Sequence, residues 1–423
     1  MKPFKKYILK NGLRIILVPQ QQSLTATALV LVETGSKYET KNINGVSHFL
    51  EHICFKGTKK RPTNLIIASE LESMGASYNA FTGQEYTGYY AKARAEKVNN
   101  ILDIVSDIYL NQVVDEKEVE KERGAIIEEL NMYEDHPMRR VGEIFMQLVY
   151  GDQPAGWDIG GTKETVGGIM KDDILKYRNQ HYVAKATTVI VAGAFNEKKI
   201  LADIKKIFAG ISTAEKFDKN KTIDKQESPA VALKTKKVDQ THIVMGFRAF
   251  DMHDKRRFAL EVLGNILGGG MSSRLFQRVR EQMGAAYYVN AGADLFTDHG
   301  TFAVSAGLNN EKLETVVKAI LEEFKKISTQ PVTDKELRRS KDSLTGRLMI
   351  GLEVSDELAS FYGQQELFHK DILTPKNLAK KIEAVTAKDV LKVAKDIMKN
   401  EHLNLAMIAP FEDKKPIEKI LKL

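Results

Sequence analysis

Apolar and polar residues alternate along the chain in two rhythms, one of strands and one of helices. Arg14 to Val18 and Thr25 to Val32, rich in β-branched residues, predict two strands. Helices are predicted near Gly45 to Phe55 and Asn64 to Met74, then a strand pair at Ser77 to Thr82 and Tyr86 to Ala93. Longer helical patterns cover Glu96 to Leu110, Glu116 to Tyr133 and Met138 to Val149, before a strand at Thr187 to Ala192 and a helix near Glu197 to Phe208. From Ser212 to Pro229 the periodicity is lost in a polar stretch with the composition of a linker. The pattern then restarts with strands at Val231 to Lys236 and His242 to Phe247. Helices follow over Lys255 to Leu267, Ser273 to Gln282, Leu313 to Ile327, Asp334 to Met349 and Ser355 to Phe368, and the last strand is Leu403 to Ile408.

The two halves share an echo. Glu72-Ser73-Met74-Gly75-Ala76-Ser77-Tyr78 resembles Glu281-Gln282-Met283-Gly284-Ala285-Ala286-Tyr287, at an offset of 283 − 74 = 209 residues, close to half of the 423. Each copy falls between a predicted helix and a predicted strand, so duplication is the reading. The expectation is an α+β protein of two homologous domains, each a mainly antiparallel sheet packed with helices. The ranges are 1–212, a linker at 213–229, and 230–423.

Composition narrows the classes. With 43% hydrophobic and 28% charged residues the chain is globular, and 63 basic against 56 acidic residues leave a net charge of +7, too even for a nucleic-acid binder. The single cysteine, Cys54, forbids an internal disulfide. Met1-Lys2-Pro3-Phe4-Lys5-Lys6 does not lead into a secretory apolar region, and no run of 18 apolar residues exists to span a membrane. A cytoplasmic location is expected.

The candidate chemistry lies in Gly45-Val46-Ser47-His48-Phe49-Leu50-Glu51-His52. Residues four apart stand one above the other on a helix, so His48 and His52 present two imidazoles on one face, two corners of a tetrahedral zinc site. Glu51 borders that face, where a general base for water at the metal should stand. A third ligand is required, and the helix after Asp115 offers one. Asp115 with Glu118 makes a capping box that fixes its start, so Glu122, Ile126 and Glu129 share a face while Glu128 points about 100° away. A carboxylate beside Ala125-Ile126-Ile127 is costly to bury unless it meets a cation. Glu118, Glu120 and Lys121 read as a solvated surface.

The chain resembles the pitrilysin/insulinase superfamily of zinc peptidases, and within it the short bacterial members similar to mitochondrial processing peptidase. His48-Phe49-Leu50-Glu51-His52 with Phe55-Lys56-Gly57-Thr58, and Glu122-Arg123 with Ile127-Glu128-Glu129, carry the likeness. It implies one zinc per chain on His48, His52 and Glu129, with Glu122 supporting the site from behind and Glu51 as general base. Asn79-Ala80-Phe81-Thr82 matches the family's edge strand for substrate backbone, and Arg280 with Tyr287 matches its pair for substrate and developing oxyanion. The substrates implied are short peptides or unfolded polypeptides. The two domains would form half of a clamshell, completed by a second copy or a related subunit.

Two rivals stand beside this. A non-catalytic structural or partner subunit usually lacks metal residues that are present here. A His-Glu-x-x-His protease on another fold has the wrong residue order. Gly268-Gly269-Gly270 reads as a helix end rather than a substrate-gripping loop, Trp157 as a packed loop aromatic, and the remaining histidines as structural.

Overall fold

The computed structural model describes residues 3–369 and 371–423, so the first two residues of the amino-terminal stretch read above lie outside it. Two sheets organise the chain. The first contains β1 (Lys5–Ile8), β2 (Arg14–Pro19), β3 (Thr25–Val32), β4 (Ser77–Thr82), β5 (Thr87–Arg94) and β6 (Thr187–Gly193), in the order β1-β2-β6-β3-β5-β4. The second contains β7 (Ala230–Thr235), β8 (Gln240–Ala249), β9 (Ala286–Leu295), β10 (Gly300–Asn309) and β11 (Leu403–Ala409), in the order β7-β11-β8-β10-β9. Among the described residues, β2 with β6 and β7 with β11 pair in parallel and the other ladders are antiparallel. Without β1 the two orders are the same permutation, which is what a duplicated unit produces.

The echo in sequence falls on the same structural point in both copies. β4 begins at Ser77 and β9 at Ala286, an offset of 286 − 77 = 209 residues. Just before each strand a glycine turns the chain with positive φ, Gly75 at 62° and Gly284 at 51°. Only glycine adopts that conformation without a steric penalty, so both helix ends keep it.

Each sheet is covered on both faces. In the first, Ile15, Leu17, Ala28 and Val30 pack with Phe49, Ile53 and Ile101 on one side. On the other, Ile16, Leu29, Leu31 and Ile190 pack with Leu358, Ala359 and Tyr362. Burial on both faces explains the unbroken apolar runs of β2, β3 and β6. The second sheet is built alike, with Val244, Ala406 and Ile408 meeting Val141, Phe145 and Val149.

These outer covers exchange sequence halves. The compact units are residues 1–131, 158–220 and 350–374, and residues 132–157, 221–349 and 375–423. The helix Pro137–Tyr150 thus belongs with the second sheet and Ser355–Phe368 with the first, so the contiguous ranges expected from the sequence do not follow the packing. Periodicity shows that a helix has an apolar stripe, not which sheet it covers. The reading gave no range for the strand expected after the second echo, β9, and passed over β1, β10 and the helices Lys171–His181, Pro375–Glu383 and Ala387–Ile397. β9 and β10 are rich in Ala, Gly, Ser and Asn, which carry little strand preference, although Phe302, Val304, Ala306 and Leu308 alternate inward.

The exchanged helix is testable. Tyr362 is 1% exposed and its ring lies 4.8 Å from that of Phe4. Tyr362→Ala is expected to cost about 3–5 kcal/mol in urea unfolding of the first unit, whereas a cost below about 1 kcal/mol would remove this helix from the core.

Candidate metal centre

The helix Val46–Cys54 buries Val46, Phe49, Leu50, Ile53 and Cys54 in the core beneath the first sheet. That choice of face leaves His48, Glu51 and His52 on the opposite side, all partly exposed. The start of this helix is fixed tightly. Gly45 has φ 98°, and a Cβ there would stand 2.6 Å from the Gly160 carbonyl oxygen. The helix has no cap from its own preceding side chain; buried Glu39 supplies it from a distance. Its carboxylate accepts from the Gly45 N–H and the Ser47 N–H, both at 2.8 Å, and from the Asn44 amide at 2.9 Å. Burial raises the Glu39 carboxyl to about 7, against the pull of these donors.

The second helix, Glu116–Glu134, is started by Asp115, which accepts from the N–H groups of Lys117 and Glu118. Glu118 itself pairs with Lys121. Val119, Glu122, Ile126 and Leu130 form its buried stripe, and Arg123 anchors it through the Gly167 carbonyl at 3.0 Å. Glu128 is exposed, whereas Glu129 comes to the histidines.

One ligand atom from each of His48, His52 and Glu129 lies within 4.8 Å of the others. Glu129 Oε2 is 3.3 Å from His52 Nε2 and 3.6 Å from His48 Nε2. Ligands at zinc bond lengths of about 2.0–2.1 Å in a tetrahedron stand roughly 3.4 Å apart, so the spacing fits. The donor types fit too: two imidazoles and a carboxylate. His52 is oriented from behind, its Nδ1 lying 3.1 Å from Glu122 Oε2, which directs Nε2 inward. Glu122 also receives Lys56 Nζ at 2.5 Å, and although burial acts to raise its carboxyl, these two partners hold it below the usual range. Burial acts to lower His52, yet Glu122, Glu129 and Glu51 outweigh it and lift the imidazole to about 9. The place favours positive charge.

Glu51 sits one residue before His52, and its Oε2 accepts from the Thr82 hydroxyl of β4. Burial raises its carboxyl above the ordinary value; the Thr82 bond and His52 oppose this, and Glu129 adds to it. Asn79, Ala80 and Phe81 lie on β4, an edge strand paired only with β5. There the Asn79 side chain accepts from the Ala80 N–H at 2.9 Å. Arg280 and Tyr287 are in the second unit as a pair, the guanidinium 5.6 Å from the Tyr287 ring centroid, with Tyr287 72% exposed. The structure thus assembles His48, His52, Glu129 and Glu122 in one place, with Glu51 on the same helix and β4 beside it, and gives Arg280 and Tyr287 their own cluster.

Sequence reasoning did not name Glu39, and it quoted Lys56 and Thr82 within motifs without giving either a role at the site. Lys56 follows the end of the helix at Cys54, so helical spacing did not mark it. Glu39 and Thr82 reach the site through tertiary folding and left no local signal.

The sequence pattern of the insulinase family (peptidase family M16) matches residues 14–163, and that of the peptidase M16 inactive domain matches residues 168–344. The chain is 34% identical over 407 residues to the uncharacterized zinc protease YmxG of Bacillus subtilis, covering 96% of this chain and 98% of the relative. It is 33% identical to the uncharacterized zinc protease SCO5738 of Streptomyces coelicolor, covering 97% and 90%. Among solved structures, a protease from Helicobacter pylori superposes with a TM-score of 0.90 at 23% identity, covering 96% of this chain and 99% of the other. A peptidase M16 inactive domain from Pseudomonas fluorescens gives 0.89 at 16% identity, covering 98% and 100%; both likenesses concern the fold.

Glu39 gives a pH signature. Its folded value lies above the ordinary 4.5, so its contribution is complete below that pH and is lost as pH rises through about 7. In chelated protein, the stability of the wild type minus that of Glu39→Gln should fall by on the order of 3 kcal/mol between these limits. Urea unfolding at several pH values reads this; a flat difference would contradict the role of Glu39.

Proposed function

Because the chain belongs to the insulinase family of peptidases, M16, we propose that it is a zinc-dependent endopeptidase acting on short peptides or unfolded polypeptides. The observation that carries this reading is the approach of Glu129 to His48 and His52, at 3.6 and 3.3 Å, with Glu51 on the helix of the two histidines. His48, His52 and Glu129 would hold one zinc ion per chain, and Glu122 would fix the His52 ring. When bound, zinc supplies a Lewis acid for the peptide carbonyl and acidifies nearby water.

Glu51 acts as the base. It takes the proton of the attacking water and returns it to the leaving amine, and its raised proton affinity suits both transfers. The Thr82 hydroxyl holds the carboxylate in place. Substrate backbone adds to the free side of β4, along Asn79, Ala80 and Phe81, which reads main-chain groups common to all peptides. The Asn79 side chain, now on the Ala80 N–H, must swing aside for that pairing. Arg280 and Tyr287 offer a cation and a phenol donor to the oxyanion of the tetrahedral intermediate.

The M16 inactive-domain pattern falls on residues 168–344, apart from His48, Glu51, His52 and Glu129. One metal-binding half and one supporting half follow, and an intact donor set disfavours a purely structural subunit. We place the second half's Arg280 and Tyr287 at the zinc site of a second copy of this chain.

Glu51→Gln should retain stoichiometric zinc while hydrolysis of an unfolded peptide falls by about 10²–10⁴-fold. Cleavage at the wild-type rate would remove Glu51 from the mechanism. For the shared site, mixing His52→Ala chains with Arg280→Ala chains should restore part of the activity. Absence of recovery after verified subunit exchange would assign both groups to one chain.

A further inference from the structure

The second unit contains a small polar cavity that takes no part in this chemistry. It measures ≈ 160 Å³ and lies between the turn after the helix Arg257–Gly268 and the helix Asp334–Gly351. Arg339, Ser343 and Arg347 line it from the longer helix; Asn265, Ser272 and Ser273 line it from the other side. No carboxylate is among the lining residues. Of the acids on that helix, Asp342 is exposed and does not line the cavity, and Glu336 is engaged by Arg274 at 2.6 and 3.0 Å.

The donors around the cavity are under-used. Arg347 donates to the Gly269 carbonyl at 2.6 Å and to Ser343 Oγ at 2.7 Å, which sets its guanidinium across the opening. Arg339 makes no hydrogen bond or ion pair among the described residues. The Ser273 hydroxyl is the most telling: the residue is 2% exposed, and its Oγ has no hydrogen-bond partner among the described residues. A buried hydroxyl left unpaired is unfavourable, and two guanidinium groups facing a cavity without a carboxylate attract negative charge.

We propose that this cavity is a binding site for a phosphate group. Donors approach from both walls, guanidinium from one and hydroxyl and amide from the other. A planar carboxylate presents its two oxygens in one plane and meets one wall well. A tetrahedral oxyanion presents oxygens to both. Once bound, it bridges the turn at Ser272 and Ser273 to the helix Asp334–Gly351. Arg280 lies 280 − 273 = 7 residues further along the same segment, so occupancy steadies the stretch that presents Arg280.

The test is calorimetric titration of the full chain at low ionic strength, with inorganic phosphate, a nucleoside monophosphate and acetate as separate probes. Phosphate should saturate one site per chain. Arg339→Gln, which removes an exposed and unengaged side chain, should weaken it by about tenfold or more, as loss of one charge-assisted contact does. Ser273→Ala should weaken it severalfold with an unchanged circular dichroism spectrum. Tighter binding of the nucleotide would identify the site as one for the phosphoryl end of a larger ligand, and still supports it. Failure of both phosphorylated probes to bind, acetate binding as tightly as phosphate, or affinities that neither substitution changes would each overturn the proposal.

Discussion

The candidate site depends on one carboxylate–imidazole contact, between Glu122 and His52. Glu122 is almost fully buried on one helix, His52 is on another, and Lys56 neutralises the carboxylate from a third direction. With His52 Nδ1 committed to Glu122, Nε2 has one direction left to face, which is toward His48 and Glu129. The contact therefore sets ring orientation and tautomer together. It also ties the two helices together, since Glu122 and Glu129, two turns apart on one helix, both meet His52 on the other. A hydrogen bond to a charged group is worth about 1.5–3 kcal/mol, so this arrangement needs the surrounding core to hold it in register.

That core is supplied by a sheet buried on both faces. The helix that carries His48 and His52 covers one face with its neighbours, and the helix Ser355–Phe368 covers the other. The second unit repeats the strand order and receives a helix from the first half in return. A duplicated unit thus diverged in chemistry while keeping its topology. One copy carries His48 and His52 on the helix Val46–Cys54 and Glu129 on the helix Glu116–Glu134, and the other carries Arg280 and Tyr287 around β9, the equivalent of β4.

What could be read in the sequence was local. His48, Glu51 and His52 were legible because three- and four-residue spacing maps directly onto a helix face. Glu129 was legible because Asp115 fixes the start of its helix, and Ile126 marks the buried side between Glu122 and Glu129. The duplication was legible in one seven-residue echo because left-handed glycines at 75 and 284 leave few alternatives. Glu39 was not legible: its cap acts across a loop, through contacts to Gly45 and Ser47 that no periodicity encodes. The exchange of helices was hidden for the same reason, and β9 and β10 because small residues give little strand signal. The proposed anion cavity rests on Ser273 and Arg339, which read in sequence as the start of one helix and an ordinary position on another.

The central claim is that a single divalent ion is held by two imidazoles and the carboxylate of Glu129. Crystals of the zinc-loaded protein, measured on either side of the zinc absorption edge, test it most directly. The account expects one anomalous peak per chain within bonding distance of His48 Nε2, His52 Nε2 and a Glu129 oxygen, and its loss in Glu129→Gln. A full-strength peak elsewhere, or one that persists at the same place in Glu129→Gln, would contradict it.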